Sequence, residues 1–132
     1  MLAFECYDPS SDGTGGFHAW YASLSAVFQA QVDTALEDLA LERNVSSAKI
    51  IESLHGACAG LLEIKIDFGP DEDHLTSLRI LCFERSRRTL TLLVGFEKTP
   101  TAISYGPHCR SALERKNGVT RDGRRAKPCQ FP

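Results

Sequence analysis

What this sequence lacks narrows the field first. No uninterrupted apolar run is long enough to cross a bilayer. Residues 13–32 carry no Lys, Arg, Asp or Glu, but His18, Ser23, Ser25, Gln29 and Gln31 break them into the pattern of an amphipathic helix. The opening residues, Met1-Leu2-Ala3-Phe4-Glu5-Cys6, put an acid where a secretory leader needs a basic stretch and an apolar core, so a cytoplasmic protein is expected. The five cysteines, Cys6, Cys58, Cys82, Cys109 and Cys129, include no Cys-x-x-Cys pair and are odd in number, which points to free thiols. A mixed zinc site from His55, Cys58, His108 and Cys109 is the alternative, but no spacing fixes its geometry. No Gly-x-Ser-x-Gly elbow, P-loop or His-Glu-x-x-His helix occurs, and Ser, His and Asp are too scattered to nominate a triad. Asp71-Glu72-Asp73 follows Gly69-Pro70 and reads as a solvated turn rather than as paired hydrolase carboxylates. There is no internal repeat.

What is present is the material of one globular domain. The 132 residues suffice for a single core, and 42% hydrophobic against 24% charged residues excludes disorder or collagen. The net charge of −2 conceals an asymmetry. Residues 1–74 hold three basic residues against thirteen acids, whereas residues 75–132 hold twelve against four. In a compact domain this implies a dipolar surface whose basic pole suits a polyanion or an acidic partner, or two halves that attract each other during folding.

Leu2–Cys6 fits a short strand, followed by the turn-rich residues 8–16. From Phe17 to about Glu42, Trp20, Leu24, Val27, Phe28, Val32, Ala35, Leu36 and Leu39 recur at three- and four-residue steps, the stripe of one long helix. Ser46 then suits the N-cap of a second short helix ending at Gly56. Beyond it the period falls to two. Leu62, Ile64, Ile66 and Phe68 alternate with Glu63, Lys65 and Asp67, as in a half-buried strand. Leu78–Glu84 is apolar on both faces and so central, and Thr89–Phe96 makes a third strand of an antiparallel meander. Pro100, Gly106 and Pro107 exclude a continuous helix from residue 99, leaving a short one from about His108 to Lys116 that ends at Asn117-Gly118. Residues 1–118 then form the domain, and residues 119–132, with Arg121, Arg124, Arg125 and Lys127, read as a mobile basic tail.

One residue within these strands is out of place. Arg79 lies inside an apolar central strand, where an unpaired guanidinium costs several kcal/mol. Its partner is either Glu63 or Asp67 on the neighbouring strand or a substrate phosphate, which suits a planar bidentate donor. Lys65 comes near Arg79 if the register allows.

The order of helices and strands, and above all "LRILCF" at Leu78–Phe83 and "GFEKTP" at Gly95–Pro100, resembles the RelE/ParE superfamily of toxins in its phage-derived HigB-like branch, over residues 17–116. The resemblance implies an α+β fold, with two N-terminal helices packed on a small, mainly antiparallel β-sheet and a short C-terminal helix. It also implies a cytoplasmic toxin of a type II toxin-antitoxin system, a ribosome-dependent mRNA endoribonuclease needing no metal or other cofactor. In such enzymes the ribose 2′-hydroxyl attacks the scissile phosphate, which requires a proton acceptor, a proton donor and cations. Carried over by position, Arg79 and Lys65 contact phosphate, Lys98 adds a cation, and His108 or Tyr105 supplies the C-terminal titratable or aromatic group. Arg85, Arg87, Arg88, Arg110, Arg115 and Lys116 are the expected RNA-binding residues. The expected partners are a cognate antitoxin and mRNA on the ribosome. The alternatives are a non-catalytic, ParE-like gyrase inhibitor and an inactive phage-derived protein of the same fold.

Overall fold

A computed structural model describes residues 1–99 and 105–130. Pro100, read with Gly106 and Pro107 as excluding a continuous helix, and the last two residues of the tail lie outside them.

Four of the strands lie where strands are expected, and two more form where a helix (residues 51–53) and a mobile tail (residues 126–128) are expected. β1 (Ala3–Tyr7), β2 (Ile51–Ser53), β3 (Leu62–Phe68), β4 (Thr76–Ser86), β5 (Thr89–Lys98) and β6 (Ala126–Pro128) make a six-stranded sheet in the order β2-β3-β4-β5-β1-β6. The β3-β4-β5 meander is antiparallel, with Lys65 opposite Arg79 and Arg79 opposite Phe96. β1 instead lies parallel to β5, Cys6 beside Leu92, and β6 closes the edge antiparallel to β1. The helices are α1 (Gly16–Ser23), α2 (Ala26–Ala40) and α3 (Gly106–Arg121). Among the described residues no helix is long and apolar enough to cross a membrane.

This architecture corrects the expected one. The sheet is larger than the small RelE-like sheet and is mixed, because the N-terminal strand pairs in parallel beside the end of the meander. Apolar side chains on both faces of the central strands require cover on both sides. α1 and α2 pack with Phe17, Tyr21, Val32 and Leu36 against Ile64, Ile80, Leu90 and Leu92 on one face. On the other face α3 sets Cys109, Ala112 and Val119 against Leu81, Phe83 and Leu93. The C-terminal helix is therefore a full layer of 16 residues, with Pro107 in its first turn where a missing N–H costs no hydrogen bond.

Local chemistry explains the other departures. The predicted long helix breaks after Ser23 because Ser25 leaves helical geometry and caps α2, its side chain accepting from Phe28 N at 3.2 Å. Trp20 packs on Gly95, where any Cβ would overlap its ring. The predicted second helix is a single 3-10 turn, Val45–Ser47, boxed by Asn44, after which the β-branched Ile51 opens β2. Asn117-Gly118 does not stop α3, and the residues read as a mobile tail continue into the fold.

That C-terminal segment is anchored at several points. Cys129 is disulfide-bonded to Cys6, and Cys58 to Cys109, leaving only Cys82 as a free, buried thiol. Both pairs correct the expectation of free thiols, and the second consumes the two sulfurs considered as zinc ligands. Gln130 N donates to His18 Nε2 at 3.0 Å, while His18 Nδ1 lies 3.1 Å from a carboxylate oxygen of the fully buried Asp8. Burial alone would raise the Asp8 carboxyl, but hydrogen bonds from Ser10 and His18 and the charge of Lys127 hold it below its ordinary value.

Candidate functional site

Cross-strand partners share a face, so the register gathers the predicted catalytic residues. Lys65, Arg79 and Phe96 form one row, and Asp67, Ser77 and Lys98 the next, on the face that α3 covers. The first turn of α3 completes the group. His108 stacks flat on Phe96 with ring centroids 4.0 Å apart, Tyr105 meets Phe96 edge-on, and Lys98 Nζ lies 5.9 Å from the Tyr105 ring centroid.

The charges in this cluster are engaged with each other. The Arg79 side chain is 8% exposed and donates from Nη1 to Asp67 Oδ1 at 2.7 Å and to Leu78 O at 3.0 Å. Its Nε lies 4.0 Å from Oε1 of the buried Glu63, and Lys65 is paired with Glu52. Burial would raise the Asp67 carboxyl, yet the hydrogen bonds from Arg79 and Ser77 and the nearby Arg79 and Lys98 charges hold it below its ordinary value. Burial, then the contact with Glu63, pushes the Tyr105 hydroxyl up to about 12, so it stays protonated at neutral pH. Three cations (Lys65, Arg79, Lys98) thus stand among three carboxylates (Glu52, Glu63, Asp67). A cluster without excess positive charge, whose arginine is sealed beneath side chains, offers little to a phosphate diester. It is a polar girder between sheet and helix, in which Arg79, expected to contact phosphate, is engaged with Asp67 and Leu78 O.

The predicted RNA-binding residues divide in the same way. Arg85 donates to Glu5 at 3.0 Å; Arg115 donates to Leu93 O at 2.7 Å and lies 5.0 Å from the Tyr7 ring centroid; Lys116 donates to Gly60 O at 2.9 Å and covers Phe83. Arg87 and Arg88, in the β4-β5 hairpin, and Arg110 on α3 are exposed. Arg121, Arg124 and Arg125, assigned above to the tail, are exposed on folded backbone: Arg121 ends α3, and the next turn runs Gly123–Arg125. Arg85 approaches that turn closely enough that a Cβ at Gly123 would overlap its guanidinium, which joins the hairpin to the C-terminal cations.

Next to this turn, Tyr7, Ser111, Glu114, Arg115, Arg121 and Arg125 line a cleft of about 500 Å³. Sequence reasoning missed Arg121 and Arg125 because Gly118 looked like a helix stop. The overlooked signal is the helical spacing of Ser111, Glu114, Arg115, Gly118 and Arg121 along one face, visible only if the helix is continued.

Comparison of the chain with protein-family models, with curated proteins and with solved structures returns no match.

Proposed function

We propose that this protein binds the phosphate backbone of a nucleic acid, without sequence preference, through the face that carries α3. The supporting observation is the separation of charge across the sheet. α2 contributes Asp33, Glu37 and Asp38 and no cation on one side, whereas α3 and the following turn contribute Arg110, Arg115, Lys116, Arg121, Arg124 and Arg125 against Glu114 and Asp122 on the other. Five of the six cations of α3 and the turn are arginines, the side chain whose planar fork matches phosphate oxygens. Tyr7 and Phe83, which could have stacked on bases, are covered by Arg115 and Lys116, so the reading is of backbone contact rather than base readout.

The cleavage step implied by the resemblance is not retained, because it relied on Arg79. Nor are the cytoplasm, the ribosomal target and the antitoxin, since two disulfides favour an oxidising compartment.

The test is fluorescence anisotropy with mixed-sequence single-stranded RNA over a salt series. Four to six phosphate contacts predict a slope of log K against log salt of about −3 to −4, falling by about 2 in an Arg121→Ala, Arg124→Ala, Arg125→Ala variant. Salt-independent binding, or binding unchanged in that variant, overturns the proposal. Binding confined to heparin would assign the face to a sulfated polysaccharide instead.

A further inference from the structure

We infer that the cleft between the second half of α3 and the Gly123–Arg125 turn is a binding site for a dianionic phosphomonoester, the terminal phosphate of a strand or of a free nucleotide. The inference deepens the reading of this face as a nucleic-acid binder. Its basis is convergence: Arg115, Arg121 and Arg125 line one cleft of about 500 Å³ with the Ser111 hydroxyl, and Glu114 is the single acid of the lining. That volume suits a nucleotide-sized ligand.

The arginines stand on rigid supports, which lowers the entropy lost on binding. Arg115 is held by one hydrogen bond to Leu93 O and by the Tyr7 ring, and a guanidinium carries five N–H donors. The backbone of Arg125 is fixed on both sides, its carbonyl accepting from Asp8 N at 2.7 Å and its N–H donating to Asp122 O at 3.1 Å. Beyond it the chain is tied down by β6 and by the Cys6–Cys129 disulfide.

Gly118 lies beside one of these guanidinium groups. A glycine inside a helix costs about 1 kcal/mol relative to alanine, and here a Cβ would stand 3.2 Å from Arg125 Nη1. The guanidinium of Arg125 therefore lies close to the helix backbone at Gly118.

Two features oppose an anion: Glu114 and the C-terminal end of α3, whose dipole amounts to about half a negative charge. Three guanidinium groups outweigh both. The surplus favours a dianionic terminal phosphate over a bridging diester, which carries one negative charge.

The experiment compares one short RNA oligonucleotide bearing a 5′-phosphate, a 3′-phosphate or hydroxyls at both ends, with a nucleoside monophosphate as competitor, for the native protein and for Arg125→Ala. The phosphate-ended strand should bind about tenfold tighter than the hydroxyl-ended one, the effect of one charge-assisted hydrogen bond, and Arg125→Ala should abolish that preference. Competition by the nucleoside monophosphate at equal or better affinity would assign the cleft to free nucleotides. Equal binding of phosphate- and hydroxyl-ended strands overturns the inference but leaves backbone binding standing. Arg125-dependent binding of the nucleoside monophosphate with no binding of any strand keeps the phosphomonoester site and overturns the proposed function. A phosphate preference that survives in Arg125→Ala also overturns the inference.

Discussion

Replacing Arg79 by alanine should unfold much of the protein's stability margin rather than subtract a ligand contact. The side chain is 8% exposed, and its loss removes a charge-assisted hydrogen bond to Asp67 at 2.7 Å and a hydrogen bond to Leu78 O. It also leaves the Glu63 carboxylate, 5% exposed, without the guanidinium that now stands 4.0 Å away. Asp67 is 42% exposed, so the loss falls below the full cost of breaking a buried pair, to about 2–3 kcal/mol, still a sizeable part of the roughly 5–15 kcal/mol that stabilises an ordinary domain. Urea denaturation followed by tryptophan fluorescence would measure it, with Trp20 as the single reporter. A second comparison isolates the charge: Arg79→Met keeps much of the volume, and adding Glu63→Gln to it should recover part of the loss, since the carboxylate left with only the Tyr105 hydroxyl is then neutral. The pH dependence follows from Asp67, whose carboxyl lies below its ordinary value in the fold. Its contribution is present above the unfolded-state value of about 3.9 and disappears as pH falls through the lower folded-state value. The gap between wild type and Arg79→Ala should therefore narrow as acid is added. An Arg79→Ala protein within about 0.5 kcal/mol of wild type would refute the reasoning, because a guanidinium that contributes nothing to stability is not neutralised by the fold.

Two further perturbations test the architecture. Gly95→Ala puts a methyl group into the Trp20 ring and should destabilise by about 1–3 kcal/mol, with an altered near-ultraviolet tryptophan signal; an unchanged signal and stability would mean that Trp20 does not pack on β5. Replacing Cys6 and Cys129 by serine removes a link between residues 123 apart, worth up to about 5 kcal/mol in chain entropy, and should make the segment after Arg125 cleavable by protease while the Cys58–Cys109 pair stays resistant to mild reduction.

The sequence carried the local part of this protein plainly. Alternation at Leu62–Phe68 and the two-faced apolar run at Leu78–Glu84 identify the meander, because period-two burial is a property of neighbouring residues. The same pattern made Arg79 conspicuous and named its two candidate acids, but it could not choose between them and a phosphate. That choice depended on α3, which covers this face from residues far along the chain.

Elsewhere, long-range contacts decided the outcome. β1 reads as a strand from its own residues, yet its place parallel to β5 comes from pairing with residues more than eighty positions away. Five cysteines without a spacing motif give no hint of pairing, since a disulfide needs only that two Cα atoms meet, here 5.0 Å apart between Cys6 and Cys129 and 5.2 Å between Cys58 and Cys109. Gly118 shows the same limit at a single position. By propensity it ends a helix, but with Val119 buried against the sheet and Arg125 seated over it, packing carries α3 past it. Sequence alone established four of the six strands, the apolar stripe and the imbalance of charge. Only the tertiary structure decided which arginines are neutralised by carboxylates and which converge on a cleft, because that depends on what the folded chain places opposite each of them.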